Sequence, residues 1–300
     1  MKAFTAYTIT AEHAGLSVET YLKQVLQLSG RKLQKLTRQK GIRLGNKPTF
    51  LTRPLKNGDI LRILTLEDSG YGVEPESGAL SILFEDEDVL VVDKPPYQLV
   101  HPAGRTTHGT VANHLAFEFS QRGILCTIRP LHRLDRDTSG CLLFAKNAQS
   151  QTRLETQLKE RRLKRSYQAL VETAPQPPAG TIDAAIGEHP SQPNRRAISP
   201  KGDAAVTHYQ TRQNYASGAL LELELETGRT HQIRVHLAHI GSPLLGDGMY
   251  GKRSPLLSRQ ALHAYSIRFF QPSSGEEICV EAPLPNDFLR AINALEKDSI

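Results

Sequence analysis

The chain has 300 residues, 39% hydrophobic and 23% charged, with a net charge of +6. That composition excludes a disordered or fibrous chain and allows one large domain or two of unequal size. Three scattered cysteines (Cys126, Cys141 and Cys279) with no CxxC spacing argue against a disulfide framework or a zinc knuckle. No stretch nears the roughly 18 apolar residues of a membrane span, and the opening residues lack an apolar run of signal-peptide length, so a cytoplasmic address with no membrane association is expected.

The first predicted element is a helix over 17–27, where Val18, Leu22, Val25 and Leu26 follow helical spacing and Ser17 can cap the first turn. Leu33 and Leu36 predict a short second helix with basic outer faces, ended by Gly41. IRL (42–44) and DILRIL (59–64) read as short strands with turn residues at 45–48 and 57–58. From Arg31 to Arg62, ten lysines and arginines stand against one acid, Asp59. Such density points to nucleic acid more than to an ordinary solvated face. Two short helices, a small strand pair and a basic second helix carrying Arg31, Lys32, Lys35 and Arg38 resemble an S4-type RNA-binding domain.

Residues 65–80 turn acidic, rich in Gly, Ser and Pro, and lose periodicity. A linker over about 66–80 is expected, with a first domain over 1–75 and a second over 80–300. Two strands then flank the acidic turn at 85–88, and DVLVVDK is apolar on both faces until Pro95 and Pro96 stop it. A helix near 110–118 and a strand at CLLFAK follow. The next helix, 150–162, has Leu154 and Leu158 at i and i+4 and basic residues at its exit, before the strand RSYQALVET. Residues 173–195 are rich in Pro and Gly and read as a surface loop. LLELELETG alternates strictly, as a half-buried strand does. THQIRVHLAHIG switches to helical spacing, with Ile233, Leu237 and Ile240 inward and Gly241 as the stop. That puts residues 227–230 in a tight turn and Arg234 one turn into the helix. PNDFLRAINALEK predicts a C-terminal helix.

HRLDRDTSG (132–140) packs two arginines, two aspartates and a histidine before a buried strand. Two readings follow from the residues alone. Asp135 is a guanidinium-held carboxylate acting as nucleophile or base on a sugar carbon, or the cluster is a structural ion pair or a cap built on Asp137, Thr138 or Ser139.

Taken with four further segments in order, the motif resembles the catalytic signature of the RluA family of pseudouridine synthases. The other segments are EDEDVLVVDKPP…VHP, RSYQAL, TGRTHQIRVHLAHIGSPLLGDGMYG and LHAYSIRF, and together they span about 80–285. The resemblance implies isomerisation of uridine to pseudouridine in RNA, with no cofactor. It implies that Asp135 is the catalytic aspartate, attacking C1′ or removing a sugar proton, and that Arg234 pairs with it. Tyr167 would lie against the flipped base. Arg133 would enter the stack the uridine has left, as a planar guanidinium can. His132 would position the loop or touch RNA, and Arg165 is counted among the RNA-binding residues. Two positions depart from the family pattern: Arg165–Ser166–Tyr167 replaces its lysine–threonine–tyrosine, and Tyr97 stands where glycine is usual.

His231, His236 and His239 are spaced i, i+5 and i+8, which is no zinc pattern, so no metal is expected. The expected architecture is α+β: a small S4-like domain, then a catalytic domain with a mixed, largely antiparallel sheet flanked by helices. The expected partner is structured RNA, foremost 23S rRNA with tRNA as the alternative, bound by a monomer. Rivals are an inactive RNA-binding factor of ribosome assembly and a nucleosidase that releases free uracil.

Overall fold

The structure, a computed structural model, describes residues 4–26, 28, 30–64, 68 and 70–298, with the Arg31 side chain outside what is described. The chain divides into two compact units, 1–69 and 70–300.

In the first unit, β1 (Phe4–Thr8) precedes a short helix, α1 (Val18–Thr20), whose Ser17 cap accepts the Thr20 N–H at 3.1 Å. The helix continues as a π-helical turn over Tyr21–Val25. Helix α2 (Gly30–Arg38) buries Leu33 and Leu36 and ends at Gly41, whose N–H reaches the Leu36 carbonyl. Strands β2 (Ile42–Leu44), β3 (Lys47–Pro48) and β4 (Ile60–Leu64) complete an antiparallel sheet in the order β1-β4-β2-β3. Its core holds Val18, Leu22, Leu33, Leu36, Leu55 and Leu61. Strand β1 had no forecast in the sequence, since FTAYT lacks a clean alternation.

In the second unit the strands are β5 (Ser81–Glu85), β6 (Val89–Lys94), β7 (Arg129–Pro130), β8 (Ser139–Ala145), β9 (Lys164–Val171), β10 (Ala179–Asp183), β11 (Ile186–His189), β12 (Gln192–Ile198), β13 (Val206–Tyr215), β14 (Gly218–Leu225), β15 (Leu262–Phe270) and β16 (Glu277–Glu281). The main sheet runs β10-β13-β14-β9-β15-β8-β6-β5, with β16 beside β15 and β7 beside β8. Its pairings are antiparallel except β15 with β8. Strands β11 and β12 form a separate ribbon, so the stretch read as a loop over 173–195 is largely strand. Proline misled that reading: Pro193 sits in a two-stranded ribbon, where a missing N–H costs least.

The four helices of this unit are α3 (Val111–Gln121), α4 (Ala148–Lys159), α5 (Gln232–His239) and α6 (Asn286–Lys297). Side chains of β6 alternate between two cores. Leu90 and Val92 join α3 and α5 residues in one, while Val89 and Val91 join Leu154 of α4 and Phe269 in the other. A strand buried on both faces must read as a continuous apolar run, as DVLVVDK does.

Residues 70–80 of the expected linker belong to the second unit. Residues 65–67 and 69 lie outside the described residues, but 70–80 strap across the second unit. Ile128 N–H reaches the Tyr71 carbonyl at 2.8 Å, Asn113 Nδ2 donates to the Glu74 carbonyl at 2.8 Å, and Tyr71, Val73 and Leu80 pack on the core. The low periodicity reflects an irregular strap held by backbone hydrogen bonds, which leave no pattern in side-chain polarity.

Candidate active site

HRLDRDTSG forms the turn between β7 and β8, closed by Thr138 N–H to the Asp135 carbonyl at 3.1 Å. Two long side chains fix its backbone and a third holds a side chain of the turn. Lys94, fully buried, donates to the Arg136 carbonyl at 2.9 Å and to Pro95 and Gln98 carbonyls at 2.8 Å. Arg259 donates to the Asp137 carbonyl at 3.1 Å and is itself gripped by Asp287 at 2.7 and 3.0 Å. Gln260 Nε2 donates to Thr138 Oγ1 at 3.3 Å. Burial pushes the Lys94 ammonium down to about 7, with the Asp137 carboxylate opposing. At the end of the turn Gly140, with φ +108°, lies against β15 so tightly that a Cβ would come within 2.2 Å of the Ala264 carbonyl oxygen.

The charges of the turn sort into separate pairs. Arg136 pairs with its neighbour Asp137 at 2.8 Å on the exposed side. The Asp135 carboxylate instead accepts Arg234 Nη1 at 3.2 Å, across 99 residues of sequence. Arg234 is buried, and its Nε and Nη2 form a bidentate fork with Asp247 at 2.7 and 2.9 Å. Burial works against the Arg234 charge, but the hydrogen bonds it donates to Asp247, with the charges of Asp247 and Asp135, outweigh it and raise its pKa. The relay Asp247–Arg234–Asp135 therefore aims one carboxylate with a rigid guanidinium.

Helix α5 presents Arg234 because the turn before it is locked. Gln232 donates to the Val206 carbonyl and Thr207 Oγ1, and its Oε1 accepts from Thr227 Oγ1 and the Arg229 N–H. His231 enters the helix in left-handed conformation, with φ +58°. Its Nδ1 lies 2.9 Å from the Tyr250 hydroxyl, which also accepts the Arg196 N–H. Burial lowers the His231 pKa, while the Asp135 carboxylate, 3.9 Å from its Nε2, opposes the shift.

These groups line a cleft of about 540 Å³. Asp135, Arg234 and Tyr167 are all in its wall, as are His132, Arg133 and Arg165. Tyr167, on β9, is buried, and its hydroxyl makes no hydrogen bond among the described residues; burial first, then the Asp135 charge, raises its pKa. Arg133 is exposed. Arg165 is not a surface cation: it is buried, donates to the Thr227 carbonyl at 3.2 Å, and keeps its Nε without a partner. Gly228 makes room for it, since a Cβ there would come 2.9 Å from its Nη1. His132 turns its ring inward, accepting the Leu143 N–H at 3.3 Å with Nδ1 sealed from solvent. Burial and the Arg165 charge push it down to about 3. Of the two roles open to it, this geometry suits positioning the loop.

Asp247, Tyr250, Lys94 and Arg259 carried no role in the sequence reading. The signal for Asp247 was available: an arginine expected inside a helix on a buried face needs a carboxylate, and LLGDGMYG holds one in a glycine-rich stretch. In the other unit, Lys35 and Arg38 lie exposed on α2, and Lys32 is half-buried.

Known proteins bear on this geometry. The RNA pseudouridylate synthase family matches residues 88–239. An uncharacterized RNA pseudouridine synthase of Bacillus subtilis is 41% identical, covering 93% of each chain. A protein named ribosomal large subunit pseudouridine synthase D, from Nitrosomonas europaea, is 37% identical over 98% of this chain and 89% of its own. Among solved structures, human RNA pseudouridylate synthase domain containing 1 superposes with a TM-score of 0.58 at 30% identity, over 71% of this chain and 87% of its own. Human RNA pseudouridylate synthase domain containing 4 gives a TM-score of 0.60 at 24% identity, over 72% and 92%, and so shares the fold. The chain belongs to the RNA pseudouridylate synthase family and is an isomerase acting on uridine in RNA.

Proposed function

We propose that this enzyme isomerises specific uridines of structured large-subunit ribosomal RNA, 23S rRNA, with Asp135 as the catalytic carboxylate. The observation that carries the reading is the Asp247–Arg234–Asp135 relay, whose Arg234 and Asp135 line a cleft that also holds a buried tyrosine. The relatives named ribosomal large subunit pseudouridine synthase D support the choice of RNA.

In this reading the target uridine leaves its stack and enters the cleft, since chemistry at a glycosidic bond requires an extruded base. Asp135 attacks C1′ or takes a sugar proton, and both routes use the carboxylate that Arg234 aims. Tyr167 lies against the uracil. Arg165, buried with a free Nε, faces an electron-rich edge of the bound nucleotide. Arg133, at the mouth, fills the vacated stack. Uracil must be held while it turns and rejoins through C5, so a site this well pinned favours isomerisation over release of free base. The basic first unit acts as an S4-like RNA-binding domain, with Arg31, Lys32, Lys35 and Arg38 toward RNA. The enzyme works as a cytoplasmic monomer.

The test is carbodiimide-based pseudouridine mapping of rRNA and tRNA from cells with and without the gene, rescued by wild type or by Asp135→Asn. Large-subunit rRNA sites are expected to vanish and to return only with wild type, while the purified variant still binds RNA. Loss confined to tRNA sites would make tRNA the substrate, and full rescue by Asp135→Asn would remove Asp135 from catalysis.

A further inference from the structure

A second groove of about 750 Å³, lined by Asp247, has Arg234 in common with the cleft. Its charges do not balance. Asp247 is taken by Arg234, Asp137 by Arg136, and Arg259 by Asp287. Two guanidiniums in its lining, Arg195 and Arg253, have no carboxylate partner among the described residues. Arg195 is held in position, whereas Arg253 is exposed. Arg195 stands 5.0 Å over the Tyr250 ring, the ring that Arg234 also faces at 5.0 Å, and its Nη1 donates to Gln192 Oε1 at 3.3 Å. Arg253 lies along the backbone at Gly248, where a Cβ would come 3.2 Å from its Cγ.

At the rim stands Tyr97, 54% exposed. Its hydroxyl is 2.8 Å from Ser258 Oγ, a lining residue. Its φ of +67° is a conformation unfavourable to any residue but glycine, and strain of this kind gathers where a side chain must be aimed at a ligand. Two guanidiniums without a carboxylate partner among the described residues, one of them positioned over Tyr250, beside an exposed aromatic face make the combination that single-stranded nucleic acid binds: forks for a phosphate, a ring for a base.

We infer that this groove is a subsite for a nucleotide next to the target uridine in the same RNA strand, its phosphate held by Arg195 and Arg253 and its base laid on Tyr97. The inference rests on the RNA reading above. The two depressions meet at Arg234, so a strand whose uridine occupies the cleft can continue into the groove.

The test pairs the full chain with an rRNA fragment that wild type modifies, each phosphate flanking the target being replaced in turn by a neutral methylphosphonate, with matched 2′-deoxy controls. One such replacement should raise the wild-type KM about tenfold, as loss of a charge-assisted contact does. The Arg195→Gln/Arg253→Gln variant should show a similar KM rise on unmodified RNA, no further loss at that replacement, and a shallower salt dependence. Tyr97→Leu should raise KM with an unchanged salt slope, since stacking carries no charge. The subsite is overturned if every replacement costs the double variant as much as wild type, or if that variant loses kcat at constant KM, which would make Arg195 a support for Tyr250. If wild type modifies no rRNA fragment, the substrate reading has failed, and anisotropy with an oligouridylate tests the groove separately: the double variant must bind more weakly, and equal binding overturns it.

Discussion

A guanidinium has five N–H donors in a fixed fork, and Arg234 commits two of them to Asp247 before it reaches Asp135. Asp247→Asn keeps the shape and removes the counter-charge of the buried cation. A small swing of Arg234 would then misdirect Asp135, and kcat is expected to fall about 100-fold with KM nearly unchanged; steady-state tritium release from 5-labelled uridine in RNA measures both. A second residue reports on stability. His263 is fully buried between Ser139 Oγ at 2.9 Å and the Ala282 carbonyl at 3.2 Å, and burial pushes it down to about 4. The unfolded histidine takes up its proton near pH 6.5, the folded one only near 4, so the unfolded state binds more protons in between. Stability from this residue is complete above pH 6.5 and is lost as pH falls toward 4. Urea melts across that window should slope for wild type and slope less for His263→Gln. At this scale Asp135, Arg234 and Tyr167 were legible because their segments resemble a family signature. Asp247 and Lys94 were not, because what they do is hold other groups still, and a partner 13 residues along or a carbonyl 42 residues away leaves no spacing rule to read.

Elements were legible where burial imposes a period. The alternation of β14 follows directly from one buried face, whereas α5 is buried nearly all round, with Ile233 and Leu237 in one core and Val235 in another. The β11–β12 ribbon and the strap over 70–80 follow no such rule, since backbone hydrogen bonds and a few scattered apolar contacts hold them without a repeating buried face. One close approach between elements depends on a single missing atom. Gly140 lets β8 pair in parallel with β15, and Gly140→Ala would drive a methyl group into the Ala264 carbonyl while forcing φ +108° on alanine. The strand must then separate at the end of the catalytic turn, and a loss of about 3 kcal/mol or more is expected. Denaturant midpoints at constant slope would show it, and an unchanged midpoint would mean the two strands part without cost.

At the scale of the whole molecule, the net charge of +6 is unevenly spread, and the first unit carries a dense share of it. If α2 faces RNA, Lys35→Gln with Arg38→Gln should weaken binding and flatten the dependence of log K on log salt by about 1 to 2. Filter binding across a salt series measures this, and an unchanged slope would turn that face away from RNA. The α+β architecture was legible from the order of motifs, while the strand order was not, because pairing between distant strands leaves no local mark. That order has a consequence for synthesis. Strand β15 lies between β9 and β8 and is among the last strands made. Until residues 262–270 leave the ribosome, the nascent chain can hold only two unjoined half-sheets, with Asp135 on the β8 side and Tyr167 on the β9 side. The enzyme is born inactive and gains its site in one late insertion, so a message cut short before codon 270 yields no partial enzyme, only two open sheet edges in need of a partner.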